Sequence, residues 1–224
     1  MKTVVLISAI AEWNAVKPLF PDASLESFPF GACFDIPLQD EQISFFHSGW
    51  GKIASAGSMQ YVIDNHMPDL IVNLGTCGGF EGSVRQGETI LVEKTYVYDI
   101  VELMGDLDIV SYYGSSLDLS WLTEPYPYPA RRGMIASADS DLPPAKIPFL
   151  RSLGAIAADW ESAALAWVAQ RNDARLLILR GVSDMVSEEG GEAYDNIEIF
   201  NERARGIMQQ LVQQLPEWLN AVKL

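Results

Sequence analysis

Two spacings of apolar residues organise the chain. The stretches "TVVLISAI", "DLIVNLG", "ETILVEKTYVY", "GMIASA" and "ARLLILRGVSD" are short apolar runs rich in β-branched residues, and each predicts a buried strand. Between them the period lengthens. "IASAGSMQYVIDNH" places apolar residues at helical spacing, "ESAALAWVAQRN" is alanine-rich, and "NIEIFNERARGIMQQLVQQLPEWLNAV" closes the chain as an amphipathic helix. Strands alternating with helices predict α/β layering around a mixed, mostly parallel sheet. Pro68 and Asp69 mark a junction between a helix and the strand leading into "NLGTCGG". The middle, "YYGSSLDLSWLTEPYPYPARRG", reads as a long excursion rather than a boundary, and long loops of this kind often cover sites.

Composition narrows the functional classes. A chain of 224 residues with 49% hydrophobic content and no linker predicts one domain over residues 1–224. The formal charge of −15 argues against a general binder of nucleic acid or of a membrane surface, because both are polyanionic. "MKTVVLISAIAEW" is short and continues into Glu12, so it reads as a first strand rather than a leader, and a cytoplasmic location is expected. Two cysteines, Cys33 and Cys77, and two histidines, His47 and His66, give neither a disulfide framework nor a zinc-ligand spacing. No metal or organic cofactor is expected.

Three motifs carry candidate chemistry. "VNLGTCGGF" has glycines behind an apolar strand, but the order G-T-C-G-G is not the dinucleotide fingerprint and lacks the lysine of a P-loop. It reads as a strand-end turn whose glycines, Gly78 among them, let backbone N–H groups and the Thr76 hydroxyl approach a ligand. Cys77 has no nearby base in sequence and reads as a small buried residue. In "AADWESAALAWVA", Asp159 and Glu161 precede a helix, where carboxylates also cap free N–H groups. "LRGVSDMVS" ends a buried strand in Arg180, Ser183 and Asp184, the place where open α/β sheets put their sites; a simple Arg180–Asp184 pair at the sheet rim is the plainer reading. Glu12 ends the first apolar run in the same manner.

In this order the motifs resemble the nucleoside phosphorylase and nucleosidase family that contains the methylthioadenosine/S-adenosylhomocysteine nucleosidases. The resemblance rests on the early glutamate, "SGWGKIASAG", "PDLIVNLGTCGG" with "VRQGETILVEKTYVYD", and "ADWESAALAWVA" followed by "LRGVSD". It implies that family's three-layer α/β fold, a purine nucleoside substrate and a homodimer or higher homo-oligomer. It implies that Asp184 protonates N7 of the leaving base, with Ser183 orienting it, and that Glu161 binds the ribose hydroxyls beside Trp160, which replaces the usual methionine. Glu12, Thr76 and Arg180 are implied to position the attacking water.

Phosphorylases of the family resemble one another in an arginine before the glycine turn and an early "GDPxR" loop. Here those places hold Asn73 and "SAIAEWNAV", so hydrolysis is expected. A phosphorylase with an altered phosphate site using Arg131 or Arg132, and a non-catalytic nucleoside-binding protein, are the alternatives. Two departures stand out. "AIAE" is one residue shorter than the family's "AMxxE", and Asp141 stands where the nucleosidases carry the aromatic that stacks on the base. Phe80, or an aromatic of the middle excursion, is then expected to stack, unless the base differs.

Overall fold

The computed structural model describes residues 1–38, 41–105, 108–194 and 196–223. Its strands are β1 (Thr3–Ile7), β2 (Glu26–Phe28), β3 (Gly31–Leu38), β4 (Glu41–His47), β5 (Leu70–Phe80), β6 (Thr89–Val97), β7 (Gly114–Ser116), β8 (Arg131–Ser137), β9 (Ala155–Asp159), β10 (Leu176–Ser187) and β11 (Gly190–Gly191). The helices are α1 (Ile10–Val16), α2 (Gly51–His66), α3 (Ile109–Tyr113), α4 (Ile147–Ser152), α5 (Ser162–Arg171) and α6 (Ile197–Asn220).

All strands join one mixed sheet in the order β11-β10-β6-β8-β9-β5-β1-β4-β3-β2, with β7 on β6. β5 also pairs with β10, so β5, β10, β6, β8 and β9 close into a ring. The pairings that carry the centre, β4–β1, β1–β5 and β5–β10, are parallel.

Alternation along β1 sorts side chains to two faces, as a strand must. Val5 and Ile7 join Val72, Leu74, Leu177 and Leu179 under α1 and α6, where Trp13, Met208, Leu211, Leu215 and Trp218 close the cluster. Val4 and Leu6 face the other way, with Ile71 and Ile178 under Met59 and Val62 of α2 and Leu165, Ala166 and Ala169 of α5. Helices thus cover both faces, giving three layers. A third cluster fills the ring's end with Phe80, Tyr96, Tyr98, Leu142, Ile147 and Leu150.

The five apolar runs and three helical segments form the elements their spacing predicts. Two expectations change. "VNLGTCGGF" is no turn: it lies inside the eleven-residue β5, paired to β10 from Ile71 to Phe80. The middle excursion is not a cover but part of the core, since Leu119, Trp121 and Leu122 pack into the α6 cluster and Leu122 bridges to Val222.

Candidate active site

A cavity of about 830 Å³ opens at the carboxyl ends of β1, β4, β5 and β10, beside the start of α6. Sites collect at this end of parallel strands because neighbouring connections diverge there. Its volume suits a small organic ligand.

One corner is built on Glu12. This residue does not end the first strand: β1 stops at Ile7, and Glu12 sits in the first turn of α1, pointing back over the sheet. Its Oε1 accepts hydrogen bonds from Thr76 N at 2.6 Å and Thr76 Oγ1 at 2.8 Å, and its Oε2 from Ala9 N at 3.3 Å. Burial pushes its carboxyl above the ordinary range, opposed by the Arg180 charge and by these donors.

Beneath that corner Arg180 is fully buried and does not itself line the cavity. Its Nε pairs with Asp159 Oδ2 at 2.9 Å and donates to Ser162 Oγ at 2.9 Å, while Nη2 donates to Asn73 Oδ1 at 2.7 Å. Asn73 in turn donates to the Leu6 carbonyl. Nη1 has no hydrogen-bond partner among the described residues. It lies against Gly75, where an ideal Cβ would fall 1.7 Å from Nη1 and 3.1 Å from Glu12 Oε1. The first glycine of the motif therefore makes room for the protein's own guanidinium. Gly79 does the same for Val84 and Val182.

Asp184 occupies the opposite side. The β5–β10 register shifts between Val182 and Asp184, leaving Ser183 as the extra residue of a bulge, and a bulge re-aims the side chains beside it. Ser183 Oγ donates to Asp184 Oδ1 at 2.7 Å and lies 3.2 Å from the Cys77 carbonyl. Burial raises the Asp184 carboxyl above its ordinary value; Ser183 and Arg203 oppose this, while Glu192 and Asp141 add to it. The Cys77 thiol is pushed well up by burial and stays protonated.

Glu161 completes the site. It stands at the start of α5 with no capping bond from its side chain; the capping falls to Asp159, which accepts from Ser162 N. Glu161 Oε1 instead accepts from Gly51 N, at the start of α2, at 3.1 Å. Burial pushes its carboxyl up to about 8, with Arg180 opposing and Asp159 and Glu12 adding. The residues preceding these two partners, Trp50 and Trp160, pack their rings 4.9 Å apart at 33° in the cavity wall.

A family model described as the phosphorylase superfamily matches residues 7–216. The chain belongs to the phosphorylase superfamily. Curated relatives named 5′-methylthioadenosine/S-adenosylhomocysteine nucleosidase include one from Geobacillus kaustophilus, 29% identical over 66% of this chain and 69% of that protein. Another, from Marinomonas sp., is 22% identical over 95% and 99%. Among solved structures, the Streptococcus pneumoniae MTA/SAH nucleosidase with 8-aminoadenine superposes with a TM-score of 0.79 at 20% identity, covering 99% of this chain and all of that one. A Francisella philomiragia structure gives 0.80 at 17% identity, with the same coverage. At these identities the superpositions establish the fold.

Within this superfamily fold, Glu12, Thr76, Gly78, Trp160, Glu161, Ser183 and Asp184 all line one cavity, and Arg180 lies behind it. Arg180 and Asp184 form no rim pair; Arg180 is tied to Asp159. Phe80 is fully buried in the third cluster and lines no part of the site, and no described residue of the middle excursion reaches it. The aromatics that do line it are Trp50, Tyr98, Trp160, Tyr194 and Phe200. Trp50 was visible in "SGWGK", one residue before a glycine at a helix start; Tyr98, Tyr194 and Phe200 carried no local signal.

Proposed function

We propose that this protein is a nucleosidase that hydrolyses the N-glycosidic bond of a purine nucleoside of the 5′-methylthioadenosine/S-adenosylhomocysteine type, releasing free base and sugar. The observation that carries the reading is the composition of the cavity wall. Its charged residues are Glu12, Asp141, Asp159, Glu161 and Asp184, with no Lys, Arg or His among the described lining residues. A phosphate nucleophile needs cationic contacts, usually bidentate guanidinium, and this wall supplies none. Arg132, raised for a rearranged anion site, is held by Glu93 and Glu124 outside the cavity.

The residues divide the reaction between them. Asp184, whose carboxyl burial raises above its ordinary value, donates a proton to N7 of the departing base and so spares the formation of a purine anion. Glu161 accepts both ribose hydroxyls; those donors stabilise its charged form, which in turn favours the cationic sugar of the transition state. Glu12 accepts a proton from water as its oxygen attacks the anomeric carbon, with Thr76 fixing the carboxylate. Arg180 Nη1, converging with Glu12 on Gly75, holds that carboxylate's charge in place. With the shortened "AIAE" spacing, Glu12 rides on the first turn of α1 rather than on the strand, and from there it lines the cavity beside Thr76.

The same reading makes the chain one cytoplasmic domain without metal or organic cofactor. It also makes the chain a homo-oligomer, whose second copy covers the exposed apolar side chains Ile10, Trp50 and Ile53 at the mouth and on α2. The test is release of free base from purine nucleosides in phosphate-free buffer. Release that requires phosphate overturns hydrolysis in favour of phosphorolysis, and tight binding without release overturns catalysis.

A further inference from the structure

Asp184 follows the bulge of β10 at Ser183, and a bulge leaves backbone groups that need partners from outside the ladder. Arg203 of α6 supplies one. Its Nη1 donates to the Ser183 carbonyl at 3.1 Å and to Glu192 Oε2 at 3.0 Å. The same Glu192 oxygen accepts from Met185 N at 3.3 Å, while Glu192 N donates to the Met185 carbonyl at 3.0 Å. The Ser183 carbonyl belongs to the peptide group before Asp184, and the Met185 N–H to the one after it. A single ion pair therefore holds both planes, and two fixed planes set the backbone dihedrals between them and the direction of the Asp184 Cβ. Ser183 Oγ then fixes Oδ1 of the carboxyl.

Stability gives this pair little reason to exist. Its side chains are 28% and 49% exposed, and part-exposed pairs contribute little to folding. Neither residue is among those lining the cavity. Both nevertheless face Asp184, together with Asp141 after β8, the Tyr194 hydroxyl and the Cys77 thiol of β5. Burial raises the Asp184 carboxyl; Ser183 and Arg203 lower it, and Glu192 and Asp141 raise it.

Resting on the nucleosidase reading above, we propose that Arg203 and Glu192 are positioning residues for the acid: the ion pair grips the two peptide groups that flank Asp184 and aims its carboxyl at the leaving base. Aim governs proton delivery in the transition state and leaves the sugar contacts of Glu161 alone. The pair acts on kcat rather than KM.

The experiment measures kcat, KM and the pH–rate profile for a purine nucleoside in the wild type, Arg203→Met, Arg203→Lys and Glu192→Gln, and repeats Arg203→Met in an Asp184→Asn background. Arg203→Met is expected to lower kcat about 10–100-fold, the cost of a misaimed group, with KM within about twofold and thermal unfolding within a few degrees. The basic limb of its profile should move to higher pH, because the lost cation had lowered the Asp184 carboxyl. Glu192→Gln removes an anion and should move that limb to lower pH. Arg203→Lys keeps the charge and should return the limb to its wild-type place. In the Asp184→Asn background Arg203→Met should cost little more, since no acid is left to aim. Limbs that stay put in both single variants, or an equal loss in the Asp184→Asn background, overturn the positioning role while leaving the nucleosidase reading intact. No base release by the wild type overturns both. Should Arg203→Met fail to fold, Arg203→Gln takes its place, and the opposite shift in Glu192→Gln carries the same comparison.

Discussion

Replacing Gly75 by alanine tests the proposed site at its foundation. The added methyl would fall 1.7 Å from Arg180 Nη1 and 2.9 Å from its Cζ. A guanidinium tip is ordinarily easy to move. This one is fully buried and tied to Asp159, Ser162 and Asn73, so moving it breaks a buried ion pair and strands Asp159. Breaking such a pair costs about 3–5 kcal/mol. For a chain of this size, that predicts a melting temperature lower by about 6–20 °C. Displacing Arg180 also removes the charge that lowers the Glu12 carboxyl, so the acidic limb of the kcat/KM profile should move to higher pH. Gly79→Ala is the control: its methyl meets Val84 and Val182, and overpacking there costs about 1–3 kcal/mol without touching the charges. Thermal unfolding and a pH–rate series on both variants decide the matter. A Gly75→Ala protein that melts with the wild type and keeps its acidic limb would refute the close-packed guanidinium and the coupling drawn from it.

Three further outcomes are expected. Asp184→Asn should lower kcat on a purine nucleoside by about 10²–10⁴-fold, the usual worth of a positioned acid, while thermal unfolding stays within a few degrees; unchanged turnover removes Asp184 from its role. On the proposed roles the wild-type pH–rate profile should be a bell: Glu12 as base would lose activity as pH falls through its raised pKa, and Asp184 as acid would lose activity as pH rises through its own; Glu12→Gln should depress the plateau and abolish the acidic limb. With its pKa near 8, Glu161 carries a proton at pH 7 in the empty site, and ribose hydroxyls favour its ionised form. Binding of a nucleoside analogue should then release a proton, seen as calorimetric enthalpies that vary with buffer ionisation heat; a buffer-independent enthalpy contradicts it.

The strands and helices that carry the site were legible because each is long and strongly periodic, as β5, β10 and α6 show. β9 was not, since "AIAAD" is short and alanine-rich and gains its strand from the neighbours that pair with it. The role of Gly75 was misread for a different reason, while Gly78 does line the cavity. A glycine in sequence announces a close approach without saying what approaches, and only the three-dimensional neighbourhood shows that Gly75 faces Arg180 rather than a ligand. Asp159 was assigned as a helix cap, which it is, but its other oxygen contacts with Arg180 and Ser137 span residues far apart in the chain. Trp50 and Tyr194 reach the cavity from separate segments, so no local spacing could pair them with Glu161 and Asp184.

The closed ring has a consequence for how copies of this chain can meet. Joining β5 to β10 and β9 leaves the strands that bear the site with no open flank, and the longest described edge lies away from it on β3, where β2 pairs only with Gly31–Cys33 and leaves residues 34–38 without an outer strand. That edge carries the exposed Asp35 and Pro37, a charge and a missing N–H donor, which discourage pairing with a strand from another molecule. The oligomer proposed above would then assemble through side chains on helices and loops rather than by extending the sheet, and surface substitution would tune or abolish it without disturbing the ladder that spaces Asp184 from Glu12.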